Sequence, residues 1–168
     1  MAASKVVTLF LLMMNSSNPS LHFASLSLSA SVDQQTGSLS VFDLLEEIRS
    51  PQLPIQIPTL VISLALAKSG PAAFDGKILI HFFNPEGKQQ VLGSGELRIP
   101  PEQRRMKAVF RLGGFPINTF GAHRFVVSWV NDQGTKVGEA LLDFDVIQVA
   151  QPPGQPGPTD AGKPPVTH

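Results

Sequence analysis

The sequence predicts an all-β fold: an antiparallel immunoglobulin-like or Greek-key β-sandwich of about eight strands with a disordered C-terminal tail. Three observations carry that expectation. Apolar residues recur with a period of two through residues 21–149, turn tetrapeptides cut the pattern at short intervals, and helical periodicity is almost absent.

The elements follow in order. Leu26, Leu28, Ala30 and Val32 alternate with serines, and Asp33-Gln34-Gln35-Thr36-Gly37 then turns the chain. Residues 38–43 begin a return strand. Asp43 and Glu46 have capping-box spacing, but the pattern favours a strand running into a bulge over a helical turn. Pro51, Pro54 and Pro58 mark an extended connection outside any sheet, because proline supplies no ladder donor. Residues 59–68 put Leu60, Ile62, Leu64 and Leu66 on one face and small residues on the other, the least polar outer face in the chain and one suited to lie against another surface. Residues 77–83 and 89–99 flank Asn84-Pro85-Glu86-Gly87, with proline at the second turn position and glycine at the fourth. The segment 106–112 ends at Gly113-Gly114, and residues 124–130 and 137–149 flank the hairpin signal Asn131-Asp132-Gln133-Gly134.

The flanks read differently, which divides the chain into residues 1–20, 21–149 and 150–168. The last nineteen residues hold six prolines and three glycines, too little apolar surface to offset the entropy of ordering, and form a tail. Residues 6–14 are an apolar run too short to span a bilayer but suited to the centre of a signal peptide. No small-x-small cleavage site follows closely, and Ser29-Ala30-Ser31 is the best candidate downstream. The expectation is a cytoplasmic protein, with export through residues 6–14 as the alternative. Asn15-Ser16-Ser17 matches a glycosylation acceptor, a pattern common by chance.

Composition narrows the function classes. Charged residues are 15% of the 168, below the roughly 25% usual for soluble domains. Thirteen basic and thirteen acidic side chains cancel, leaving no long-range field to gather a nucleic acid or an anionic lipid surface. There is no cysteine, so disulfides, thiolate nucleophiles and cysteine metal sites are excluded. Tyrosine is absent and Trp129 is the single tryptophan, which argues against a sugar-binding aromatic platform.

The stretch from Leu21 onward resembles a family of small bacterial single-domain proteins known only as a domain of unknown function. The residues that carry the resemblance are the first apolar strand, Asp33…Gly37-Ser38-Leu39-Ser40-Val41-Phe42-Asp43, Leu53-Pro54, Asn84-Pro85-Glu86-Gly87, and Gly121-x-His123-Arg124-Phe125. His123 stands where the family pattern has an aromatic residue, expected as tyrosine. The resemblance implies a β-sandwich and no established activity.

Candidate chemistry is sparse. His22, His81, His123 and His168 form no HExxH or His-x-His pattern. His81 and His123 fall on predicted strands with Asp143 and Asp145, whose side chains share one face of the last strand, so cross-strand neighbours offer a route to a hydrolase or metal-dependent site. A solvated outer face is the plainer reading of the two aspartates. Arg98, Arg104, Arg105 and Lys107 make a basic cluster, either an anion site or a solvated loop. Gly93-Ser94-Gly95 is no nucleophile elbow and reads as a turn or bulge. The reading that follows is a non-catalytic protein-interaction or scaffolding module with no cofactor, no nucleic-acid partner and no membrane span, its expected partner another protein. A hydrolase or metal-dependent enzyme using the surface His and Asp residues, and an exported structural domain, are the alternatives.

Overall fold

The computed structural model describes residues 18–150, whose regular structure is entirely β. Nine strands follow one another: β1 Pro19–Val32, β2 Leu39–Leu44, β3 Glu47–Ser50, β4 Ile55–Lys68, β5 Phe74–Phe83, β6 Gln89–Ile99, β7 Arg105–Ile117, β8 Gly121–Asn131 and β9 Lys136–Gln148. The strand beyond the expected set is β3, a four-residue piece just ahead of the proline-rich connection. The apolar run 6–14, the acceptor Asn15 and the Pro/Gly-rich tail lie outside the described residues.

A four-stranded sheet in the order β2-β1-β4-β7 packs on a five-stranded sheet in the order β3-β9-β8-β5-β6. Every pairing is antiparallel except β3 with β9, which is parallel. Leu60, Ile62, Leu64 and Leu66 of β4 enter a core completed from the other sheet by Ile78, Phe125, Trp129 and Phe144. Each such fully buried side chain contributes about 1.5–3 kcal/mol by leaving water.

The expectation about the prolines is corrected. Pro58 lies inside β4, flanked by the pairs Ile57–Phe115 and Thr59–Gly113. It is tolerated because β1 joins β4 only from Val61 onward, so β4 has one neighbour at this point. The small-residue face of β4 lies against another part of the chain. Val61, Ser63 and Ala65 are 1%, 0% and 8% exposed. After Ser27, β1 leaves the β4 ladder and pairs with β2 alone. From β7, on the far side of β4, Arg111 donates to the Ala30 carbonyl at 2.9 Å and Lys107 donates to that of Gly37. The β1–β2 hairpin therefore leans across the outer face of β4, and small side chains there allow the close approach.

The Asp43–Glu46 segment forms no helix. Asp43 has φ 56°, Leu45 is buried, and its N–H donates to the Leu26 carbonyl at 2.9 Å. The chain then passes to the other sheet, where the Asp145 N–H donates to the Glu46 carbonyl at 2.9 Å. The expected bulge is a sheet-switching corner. The candidate cleavage site Ser29-Ala30-Ser31 lies within β1, with Ala30 buried, so cutting there would remove most of a core strand.

Candidate functional site

The turn and strand motifs named above meet at one end of the sandwich. In the β5–β6 turn the Gly87 N–H donates to the Asn84 carbonyl at 2.9 Å, and Asn84 Oδ1 accepts from the Lys88 N–H at 2.8 Å. Pro85 packs over Gly121, which has φ 113° and whose added Cβ would lie 3.2 Å from the proline ring. Two residues on, His123 points into the core rather than to solvent, correcting its expected place in a surface His/Asp site. It is 2% exposed and stacked between Phe82 and Phe144, with centroids 5.6 and 5.1 Å away. Nδ1 lies 2.9 Å from the Gly121 carbonyl and Nε2 lies 3.2 Å from Thr119 Oγ1. The carbonyl can only accept, so Nδ1 carries the proton and the Thr119 hydroxyl donates to Nε2. Burial pushes the imidazole pKa below its ordinary value, against opposing contributions from the Gly121 carbonyl and the Asp145 charge. His123 thus fills an aromatic core slot as a neutral ring.

His81 faces the other way. It lies in a register row Val91–His81–Val126–Leu141 that crosses β6, β5, β8 and β9 on the outer face of the five-stranded sheet. Asp143 and Asp145 share that face, as their spacing predicts, while Phe144 and Val146 are buried on the other. Asp143 accepts from Arg124 Nε at 2.6 Å and Nη2 at 3.0 Å, and this pairing holds its carboxyl below the usual range. The structure brings Asp143 and Asp145 together but places His81 two strands away and His123 on the opposite face. Among the described residues no three His, Asp or Glu side chains gather as a metal-holding group.

The basic cluster is divided: Arg98 lies on β6, Arg104 in the exposed loop ahead of β7, and Arg105 and Lys107 on β7, an edge strand of the other sheet. Arg105, Lys107 and Arg111 alternate along β7, two of them spent on the hairpin carbonyls, and Arg98 reaches Asp75 at 3.4 Å. Arg104 and Arg105 remain exposed. The loop beside them is held by Lys68, a buried cation whose Nζ donates to the carbonyls of Ala72, Pro100 and Pro101 at 2.6, 2.7 and 3.3 Å. Neither Lys68 nor Arg111 was marked by the sequence, since a lysine ending an apolar strand looks like any solvated terminus.

One further feature is visible only in three dimensions. Between β1 and β9 the wall of the sandwich opens into a groove of about 350 Å³. Its rim carries Phe23, Leu44 and Leu141, exposed by 40%, 62% and 51%. Leu26, Leu45 and Leu142 lie deeper. Across Leu141 and Asp143 it continues into a shallower depression of about 590 Å³ over Phe83, Val126 and Pro85. Phe42, 53% exposed, projects from the same face of β2 as Leu44. Val41-Phe42 and Leu44-Leu45 set apolar residues on both faces of this segment, so alternation alone does not show which of them stay in water at the rim.

Fold and surface together define a two-sheet β-sandwich domain with an apolar groove at one seam. The chain belongs to the family of unknown function DUF6941, whose model matches residues 23–155. No curated protein matches the sequence at a significant level. Among solved structures it is similar to a beta-glucosidase from Listeria innocua in complex with glucose, at 10% identity and TM-score 0.44, over 77% of this chain and 17% of that one. The alkylpurine DNA glycosylase AlkC of Pseudomonas fluorescens bound to abasic-site DNA gives 11% identity and TM-score 0.46, over 82% and 33%. A CARDB domain from Pyrococcus furiosus in complex with di-metal ions gives 8% identity and TM-score 0.44, over 79% and 92%. This chain therefore spans about a sixth of the glucosidase and a third of the glycosylase.

Proposed function

We propose that this domain is a non-catalytic protein-interaction module that receives its partner in the groove between β1 and β9. The observation that carries the reading is the convergence of Phe23, Leu44 and Leu141 on one open seam with Phe42 beside it. Large side chains left in water around a concave surface mark a place that association would cover. A non-catalytic reading is supported by the fate of the titratable groups, with His123 stacked in the core and Asp143 held by Arg124. We read the protein as cytoplasmic, and an intact mass from the native host lacking residues 6–14 would replace that with export.

The test is affinity capture of the full chain from its host under mild cross-linking, beside a Leu44→Asp/Leu141→Asp variant checked by circular dichroism. A stoichiometric partner held by the wild type and lost by the folded variant is the expected outcome. Equal capture by both chains, or none by either, would overturn it.

A further inference from the structure

The outer face of the five-stranded sheet is apolar through its middle. The row Val91–His81–Val126–Leu141 runs across it, with Val91 66% and Leu141 51% exposed at its two ends. Leu79 and Phe83, half-buried, stand on the same face one row to either side. An antiparallel sheet normally turns a polar face to water, and a contiguous apolar one marks a surface that association covers. The described residues make two sheets, and the other one lies against the opposite face. The rows of this face match themselves when reversed. A half-turn about an axis along the strands sets the partner's Leu141 on Val91 and the partner's Val126 on His81. Two rows away, Glu96–Lys77–Val130–Lys136 is acidic at one end and basic at the other. The same half-turn brings Glu96 to the partner's Lys136, and it does so twice. Among the described residues Glu96 has no ion-pair partner and Lys136 reaches only Glu139 of its own strand. On the other side of the central row, Phe83 meets the partner's Arg124 and Gln89 the partner's Asp143, so no like charges face each other in these rows.

We infer that this face receives a second copy of the chain, in a two-fold dimer whose five-stranded sheets pack face to face with their strands aligned. Four strands about 4.8 Å apart and four rows about 6.8 Å apart give a face of roughly 500 Å². Two such faces bury about 1,000 Å², the lower end for a specific association, so the dimer is a weak one. The apolar rows supply the attraction, and the two Glu96–Lys136 contacts fix the register. Phe23, Phe42 and Leu44 lie off this face, on the other sheet, so the groove stays open in the dimer, with Leu141 common to both surfaces.

Sedimentation velocity of the full chain tests the dimer, at about 100 μM so that even a weak association is populated. The expected result is a dimer that Glu96→Lys or Lys136→Glu alone weakens at least about tenfold and that Glu96→Lys/Lys136→Glu together restores. The chain has no cysteine, which makes a second readout specific. Positions 91 and 141 lie three strands apart in one chain, roughly 14 Å and beyond disulfide reach. Val91→Cys mixed with Leu141→Cys should therefore give a disulfide between chains under mild oxidation, and either variant by itself should not. A monomer at every concentration, single charge variants that associate like wild type, a double variant that fails to recover, or no mixed disulfide would each overturn the face-to-face dimer. Leu44→Asp lies off this face and should leave the dimer intact, so its loss of partner capture reports on the groove alone.

Discussion

His123 and Gly138 show how single positions are decided by what surrounds them. The His123 pKa is lowered in the folded chain, so near neutral pH the ring is uncharged both folded and unfolded and adds no pH dependence. As pH falls through the unfolded value of about 6.5, the unfolded chain takes up a proton that the stacked ring resists, and stability declines until the folded pKa is passed. The contribution of His123 to the thermal midpoint should therefore be level above about pH 7 and fall as pH drops below about 6.5, and His123→Phe should remove that part of the drop. A titration unchanged by the substitution would contradict this. Gly138 lies under the Trp129 ring, and a Cβ there would come within 2.4 Å of it. Trp129 is fixed by donation from Nε1 to the Pro19 carbonyl at 2.9 Å. Gly138→Ala should cost about 1–3 kcal/mol in urea unfolding through overpacking. The exposed Arg124–Asp143 pair is worth less, and Asp143→Asn should change stability by under about 1 kcal/mol.

At the scale of elements, β4 is where pattern and packing diverge. Its two faces are both covered, one by the opposite sheet and one beneath the leaning β1–β2 hairpin. Ser25 of β1 and Ser63 of β4 are register partners on that second face, and both hydroxyls are buried with no hydrogen-bond partner. Removing a buried group that bonds to nothing sheds a desolvation cost, so Ser25→Ala/Ser63→Ala should be neutral to about 1 kcal/mol stabilising by chemical denaturation. A clear loss would indicate a water shared between the two hydroxyls. At the end of the same strand, Lys68→Met leaves the Ala72, Pro100 and Pro101 carbonyls without their donor. It should destabilise by about 1–3 kcal/mol, with faster amide exchange confined at first to the loop between β6 and β7.

Over the whole molecule, the corner at Leu45–Glu46 ties the sheets together covalently, and the parallel β3–β9 ladder extends that tie. Because β3 is only four residues long, it pairs with β9 only from Asp145 onward, and ahead of it β9 runs beside β1 at the groove. Leu44→Asp/Leu141→Asp exchanges apolar side chains already in water for charged ones. It should leave the thermal midpoint within a few degrees of wild type while lowering binding of a hydrophobic dye. A large fall in the midpoint would show the rim to be part of the core.

How much was legible in advance divides along physical lines. A period of two is a local consequence of the pleat, so the strands, the β5–β6 and β8–β9 turns and the inward set Leu60, Ile62, Leu64 and Leu66 could all be read from the chain. The shared face of Asp143 and Asp145 followed from the same rule. Alternation sets His123 on the face of Phe125, Val127 and Trp129 but does not say that the ring stacks there between Phe82 and Phe144, nor what covers the small face of β4. Nor does it say where a short strand stops pairing. The β3 corner, the reach of Lys107 and Arg111 across β4, the burial of Lys68 and the approach of β1 to β9 all depend on contacts between residues far apart in sequence. The sequence by itself determined a β-sandwich with its turns. Only the tertiary structure decided which side chains remain in water at the seam, because that depends on how the two sheets meet.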